Sequence, residues 1–320
     1  LRRNVGADTP FPPEVPHALN PPDGAIIYYW LGSKPSGRVT LDVLDSAGTA
    51  VRHYSSDPIT PVREAARPPH PNFWVEVEQP LSTDVGTHRV TWDLRYDAPP
   101  AFTHTFEINA NPGQTPASPE GALVPPGTYT VRLTVDGKAR SEKVVVAIDP
   151  RSPSTLTALR AEDALIRKLN ASERVAWEAF EQVDTMRAQL RAMSASDSTS
   201  EIAKTVRASI AKLDSLGGRA PVSGGGFAGF GGASAIAHPT FVQLVNVFLR
   251  QLGTFDNGDI APTAAMLAGQ KSACTDLGKS VAAWRAFNGA DLSALNAALS
   301  KAGKTPVAKA PGVQAPACGS

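Results

Sequence analysis

The distribution of proline is the feature of this sequence that most constrains its fold. Of the 28 prolines in the 320 residues, 21 lie in residues 1–150 and 7 in residues 151–320. Proline lacks the backbone donor that a helix interior needs, so the first half is predicted to consist of strands and loops. Residues 151–320 are free to form long helices. A change of secondary-structure class is therefore expected near Asp149-Pro150.

Several segments of the first half alternate apolar and polar residues with a period of two, which is the pattern of a strand with one buried face. The segments are Val39–Val43, Val90–Leu94, Tyr129–Val135 and Val144–Ile148, with a denser apolar strand at Gly24–Leu31. Asp136-Gly137 supplies the two residues of a tight hairpin turn. Short strands with no intervening helix predict an N-terminal antiparallel β-sandwich of the immunoglobulin or fibronectin type.

After Pro150 the apolar residues recur with the period of an amphipathic helix. The predicted helices are Ser154–Met193, Glu201–Leu216, Pro239–Phe255, Pro262–Phe287 and Asp291–Lys301, the last with Asp291 as its N-cap. Short connections between such helices favour antiparallel neighbours, so the second half is predicted to be an up-and-down bundle of about four helices.

These patterns divide the chain into four parts. We predict a Pro-rich extended arm, a β-sandwich, a helical bundle that contains a Gly-rich loop, and an extended tail; their ranges are 1–19, 20–150, 151–304 (loop 217–235) and 305–320. The tail is rich in Ala, Pro and Gly and is expected to need a partner surface to become ordered.

Composition excludes several classes of function. The 31 basic side chains are balanced by 30 acidic ones, so no nucleic acid partner is predicted. No apolar run approaches the roughly 20 residues that a membrane-spanning helix needs, so no transmembrane segment is predicted. The chain starts at Leu1 rather than at Met, and we expect it to be processed from an exported precursor.

The two cysteines, Cys274 and Cys318, are too few for a disulfide-dense scaffold or a four-cysteine zinc site. One bridge between them would tie the tail to a helix. Two thiols do not diagnose the redox compartment, so the bonded and the free states both stay open at this point.

Motifs for catalysis or cofactor binding lack the context that they need. Gly224–Gly229 matches G-x-G-x-x-G, but it follows a helix and no acidic ribose ligand lies downstream, which predicts a flexible loop and no cofactor. The six histidines include no H-E-x-x-H motif and no pair at i, i+4, so no metal site is predicted. No G-x-S-x-G elbow is present and no catalytic residue is predicted. A nucleophile and base brought together from distant positions stay an open hypothesis.

Aromatic residues in loops are the candidate partner contacts. They are Phe73 and Trp74, at the end of a Pro-rich loop, and Phe227 and Phe230, among the glycines of the interhelical loop. Tryptophan on a mobile surface often marks an interface. Packing of Phe73 and Trp74 in the core or between domains is the competing interpretation.

Four sequence motifs carry a resemblance to a known family. Asn20–Ile27, Val39–Gly48, Trp92–Tyr96 and Pro125–Gly137 resemble, in this order, the C-terminal region of exported bacterial proteins with sortilin-like, neuraminidase-type (BNR) repeats, commonly labelled glycosyl hydrolases. The resemblance runs from about Asn20 to Gly303. The β-propeller that would hold a hydrolase site in those proteins has no counterpart in these 320 residues. We therefore expect a protein that is not an enzyme.

A propeller-less form of this region is similar to membrane-extrinsic scaffold subunits of bacterial photosynthetic reaction-centre–light-harvesting complexes. This resemblance implies a periplasmic protein peripheral to a membrane complex, with other subunits as its partners. The first hypothesis is thus a structural protein that holds a reaction centre within its light-harvesting ring. The alternative is a carbohydrate-binding accessory module of a glycoside hydrolase.

Overall fold

The computed structural model describes residues 9, 10, 12, 14–16, 18, 21–59, 71–108, 113–194, 200–220 and 238–318. The architecture of these residues is mixed, with antiparallel β-sheets and α-helices. The chain divides into two compact units. The first comprises Leu1–Pro99, Thr103–Ala164 and Phe255–Ala261, and the second comprises Pro100–Phe102, Leu165–Thr254 and Pro262–Ser320.

Every strand among the described residues lies in the first unit. The strands are β1 (Ala25–Leu31), β2 (Val39–Leu44), β3 (Ala50–Ser55), β4 (Gly86–Trp92), β5 (Thr105–Phe106), β6 (Ala117–Ser118), β7 (Gly127–Val135) and β8 (Lys138–Val146). The described strands form a four-stranded sheet in the order β3-β2-β7-β8 and two-stranded sheets β1-β4 and β5-β6, all antiparallel. The predicted hairpin is confirmed, since Asp136 and Gly137 both have positive φ and join β7 to β8.

The core of the first unit is built on the predicted alternation. Val39, Leu41 and Val43 of β2 are fully buried, and so is Trp92 at the end of β4. The Trp92 ring lies edge-on to Tyr129 of β7 with their centroids 5.2 Å apart. β4 ends at Trp92, before the predicted end at Leu94, because the chain turns there and Leu94 takes a φ of 61°.

Five α-helices follow among the described residues, and all of their predicted ends lie within two residues of the observed ones. They are α1 (Leu156–Ser194), α2 (Glu201–Gly217), α3 (Phe241–Gly253), α4 (Ala264–Ala286) and α5 (Leu292–Lys301). Ser200, Thr240 and Thr263 cap α2, α3 and α4 by accepting backbone hydrogen bonds. The predicted N-cap at Asp291 is wrong. A π-helical turn carries α4 directly into α5, and Asp291 instead pairs with Lys212 at 3.1 Å.

The tail lies along its own unit without regular secondary structure. Two asparagine side chains hold its backbone, each through a pair of hydrogen bonds: Asn288 with Ala310 (2.9 and 3.0 Å) and Asn296 with Val307 (2.9 and 2.8 Å). Val313 is buried as well. The expectation that the tail needs a partner surface is therefore met within this chain, because the second unit itself provides that surface.

A disulfide between Cys274 and Cys318 closes the tail onto α4. The possibility left open by the sequence is thus resolved in favour of the bridge. Among the described helices, none is both long enough and apolar enough to cross a bilayer.

Candidate partner-binding face

One side of β1 presents large apolar side chains to solvent. Ile26, Tyr28 and Trp30 are 45, 65 and 69% exposed. Tyr29 and Leu31, which alternate with them, are buried. The strand therefore carries aromatic side chains on both faces, and only one of these faces is used by the core.

The neighbouring strand completes this face. β1 and β4 are paired so that Ile26, Tyr28 and Trp30 lie opposite Thr91, Arg89 and Thr87. Directly opposed residues in an antiparallel pair share a face. These six residues, Ile26, Tyr28, Trp30, Thr87, Arg89 and Thr91, are called the aromatic face below.

The β1-β4 ribbon is fixed from its other side. The Tyr29 hydroxyl donates a hydrogen bond to the Ser82 carbonyl (2.9 Å), and its ring lies 5.0 Å from that of His88. Burial raises the pKa of Tyr29, and the bond to Ser82 only partly offsets this. The buried Trp92 indole donates to the Arg95 carbonyl at 3.0 Å. The aromatic face thus stands on a packed and hydrogen-bonded support.

The Trp30 ring packs against Gly32. A Cβ atom at Gly32 would lie 2.7 Å from Cη2 and 3.0 Å from Cζ3 of Trp30. The indole therefore lies across the Gly32 backbone, along the strand. Alanine at this position would push the ring away, since Cβ atoms essentially never approach another heavy atom so closely.

Arg89 is the charged group of the aromatic face. Its side chain is exposed, and within the described ranges it makes no ion pair and no hydrogen bond. The other five residues of the face are uncharged. The face thus combines tryptophan, tyrosine and arginine, the three residue types most enriched at the energetic centres of protein interfaces.

Strand β8, at the edge of the four-stranded sheet, presents a different surface. Lys138–Lys143 are all exposed and include charges of both signs at Lys138, Arg140, Glu142 and Lys143. Charged edge strands resist pairing with other chains. The charges therefore disfavour association along this edge. The aromatic face, in contrast, carries a single charge, on Arg89.

Two of the four partner contacts predicted from the sequence, Phe73 and Trp74, lie among the described residues. Phe73 is 51% exposed and Trp74 is half-buried, and both lie in a short 3-10 turn with their rings 6.2 Å apart. Phe227 and Phe230 lie outside the described residues. Tyr28 and Trp30 were not among the predicted contacts. Their signal was the run of three consecutive aromatics, but periodicity alone does not say which side of a strand faces the core.

An imidazole–carboxylate pair lies on the four-stranded sheet. Asp42 accepts from His53 Nδ1 (2.7 Å) and from Arg132 (2.9 Å). Burial alone would raise the pKa of Asp42, but these two hydrogen bonds outweigh it and lower the pKa. In the part of the chain described, no hydroxyl or thiol is hydrogen-bonded to the His53 ring.

Buried charged side chains interrupt the apolar stripe of α1, among them Arg187 and Glu173. Arg187 is buried and hydrogen-bonds to Asp184, to Asp214 (2.9 Å) and to the Gly218 carbonyl (2.7 Å), so it joins α1 to the end of α2. Glu173 is completely buried, and neither of its carboxylate oxygens has a hydrogen-bond partner among the described residues. Burial raises the pKa of Glu173 to about 8.

Within the described ranges, no group of three or more His, Cys, Asp or Glu side chains is arranged to hold a metal ion. The chain matches no protein-family model, no curated protein sequence and no solved structure.

Proposed function

We propose that this protein is a non-catalytic scaffold that bridges or stabilises a larger complex. The observation that carries the proposal is the aromatic face, where Tyr28 and Trp30 are about two-thirds exposed on a paired two-stranded ribbon. Exposed apolar patches on folded proteins commonly mark interaction sites. Binding through preformed aromatic anchors costs little conformational entropy, which favours a tight contact.

The concrete form of the proposal is a periplasmic, membrane-extrinsic subunit that holds a photosynthetic reaction centre within its light-harvesting ring. The sequence resemblance supports this assignment. The Cys274–Cys318 bridge supports an exported location, since disulfides persist in oxidising compartments and are rare in the cytosol.

The finer architecture proposed with this function is an immunoglobulin-like sandwich joined to an up-and-down helical bundle. Contact between Trp92 of β4 and Tyr129 of β7 supports a sandwich, because it brings the inner faces of two sheets together. The hydrogen bond from the Tyr54 hydroxyl to the Thr91 carbonyl (3.3 Å) supports the same arrangement.

Isolation from the source organism tests the proposal. Membranes are solubilised mildly, and the complex that carries this protein is separated by size and analysed by native mass spectrometry. We expect this protein at fixed stoichiometry in an assembly that contains reaction-centre and antenna polypeptides. Recovery of the protein as a free monomer at native abundance would contradict the scaffold function.

The aromatic face also favours a second candidate, a carbohydrate-binding accessory module. Exposed tyrosine and tryptophan rings on a sheet provide flat apolar surfaces on which sugar rings can stack. A glycan array probed with the wild type and with Trp30→Ala and Trp74→Ala variants tests this candidate. Binding that either substitution abolishes would favour the carbohydrate function over the scaffold.

A further inference from the structure

We propose that the aromatic face binds an acidic segment of a partner protein, in which a carboxylate pairs with Arg89 and an apolar side chain packs against Tyr28 and Trp30. This inference rests on the proposed scaffold function and adds the location and chemistry of the contact. Its evidence is the juxtaposition of one unpaired cation with two exposed aromatic rings on a single sheet face.

Charge determines the chemistry of the partner. Arg89 lies directly opposite Tyr28 in the strand register, and no carboxylate belongs to the aromatic face. Covering this face with another protein would remove water from the guanidinium, which is costly unless a counter-charge replaces the water. A planar guanidinium fits a carboxylate with two parallel hydrogen bonds. An aspartate or glutamate of the partner is the group that meets this need.

Geometry determines where the apolar contact falls. Alternate residues of a strand are spaced by about 6.7 Å, so Ile26, Tyr28 and Trp30 form a row about 13 Å long. Trp30 is held against Gly32 and the ribbon is anchored by Tyr29, so the row is ordered before binding. A short extended or helical segment with one or two apolar side chains beside its acid fits a row of this length.

A lipid surface is the competing occupant, because tryptophan, tyrosine and arginine also occur where proteins meet membranes. Segments that adsorb to anionic membranes through charge typically carry a cluster of about four to eight basic residues. The aromatic face contains one cation, Arg89. The charge of the face therefore favours pairing with a single carboxylate over adsorption to an anionic bilayer.

The test uses reconstitution with the native complex. Membranes from a strain that lacks this protein are incubated with purified wild type or variants, and the affinity is measured by co-sedimentation over a range of salt concentrations. The binding variants are Trp30→Ala and Arg89→Glu. The matched controls lie on the charged edge strand β8. Val145→Ala removes an exposed apolar side chain, and Lys143→Glu reverses an exposed charge.

We expect Trp30→Ala and Arg89→Glu each to weaken binding by about 10- to 100-fold, as is usual at the centre of an interface. The controls should stay within about twofold of the wild type. Circular dichroism and thermal unfolding of each variant verify that the fold is intact. Photo-crosslinking from position 28 then identifies the contacted polypeptide, and replacing its crosslinked acid by lysine should restore binding of Arg89→Glu.

Three outcomes would overturn the inference. If the wild type binds the membranes and both aromatic-face variants bind equally well, the contact lies elsewhere while the scaffold function stands. If Arg89→Glu abolishes binding to protein-free vesicles that contain anionic phosphatidylglycerol as strongly as to the native membranes, the occupant is a lipid surface. If the wild type does not bind the native membranes at all, the scaffold function itself fails.

Discussion

Apolar groups reach the outside of the fold at two places, the aromatic face of the first unit and the surface of the second unit that the tail covers. The two surfaces differ in whether the chain itself buries them. In the second unit, the chain folds its own tail over the helices, buries Val307 and Val313, and locks the segment with a disulfide. In the first unit, Tyr28 and Trp30 are left uncovered. One surface is completed within the chain. Under the scaffold proposal, a partner completes the other.

An ionisable group in each unit should make stability depend on pH, with opposite signs in the two units. The pKa of Glu173 rises from an ordinary value of 4.5 to about 8 in the folded protein, so the folded state holds a proton that the unfolded state releases. The stability of the second unit should fall as pH rises from about 4.5 to about 8, by on the order of 5 kcal/mol in total. In the first unit, Asp42 has a lowered pKa, so its contribution is present above its ordinary pKa and is lost as pH falls below it.

Hydrogen exchange of α1 amides between pH 5 and 8.5, corrected for intrinsic exchange rates, measures the Glu173 effect. Glu173→Gln should remove most of the pH dependence, because an amide does not titrate. Glu181→Gln, at an exposed position of the same helix, is the matched control and should leave the pH dependence as it is. A flat stability profile for the wild type would show that the Glu173 carboxyl is hydrated or paired in the folded state.

Breaking the disulfide is the most direct way to release the tail from the helices of the second unit. Cys318→Ala should reduce the free energy of unfolding of this unit by about 2–4 kcal/mol, since the bridge closes a loop of 44 residues. Denaturant unfolding followed by hydrogen exchange in α4 measures the loss. The wild type treated with reductant should match the variant. An unchanged midpoint would mean that the tail is held without the bridge.

Removing one of the two asparagine side chains that hold the tail tests the same attachment of the tail, with a smaller expected effect. Asn288→Ala leaves the Ala310 donor and acceptor without their side-chain partners and should cost about 1–3 kcal/mol. Faster exchange of tail amides and faster proteolysis between Lys304 and Cys318 are the expected signs. Ser300→Ala, on the exposed side of α5, serves as control. Equal tail exchange rates in both variants would contradict this attachment.

Trp30→Ala should have the smallest effect on stability, below about 0.5 kcal/mol, because an exposed side chain contributes little to folding. Trp92→Ala on the opposite side of the same ribbon should instead cost about 3–5 kcal/mol, because it empties a buried site. Thermal unfolding of the two variants side by side provides the measurement. If Trp30→Ala were as destabilising as Trp92→Ala, the aromatic face would be part of the fold and would not be reserved for binding.

Local patterns predicted much of the secondary structure. Alternation placed β2 and β7 but only the last three residues of β4 and of β8, and the apolar run Gly24–Leu31 placed β1. The Asp136-Gly137 turn was correct because its positive φ values follow from residue type. β3 was missed because Ala50–Ser55 mixes apolar and polar residues without a clear period. The Asp291 cap failed because continuation of the helix through a π turn depends on packing of the neighbouring Phe287 and Asn288, which are both buried.

Features that depend on tertiary packing could not be predicted from the sequence. Glu173 sits four residues after Leu169 and three before Ala176, on the apolar stripe, but its lack of a partner depends on what surrounds it. The Cys274–Cys318 pairing depends on the path of the tail. The choice of Trp30 over Tyr29 as the exposed aromatic depends on which side of the ribbon meets the core.

The measurement that tests the central claim most directly is hydroxyl-radical footprinting of the protein alone and within its native assembly. Oxidation of Tyr28 and Trp30 should be rapid in the free protein and fall at least fivefold in the assembly, on the order expected when exposed side chains become an interface core. Oxidation of Leu267, an exposed residue of α4, should not change to the same extent. Equal oxidation of Trp30 in the free and the assembled protein would contradict the account.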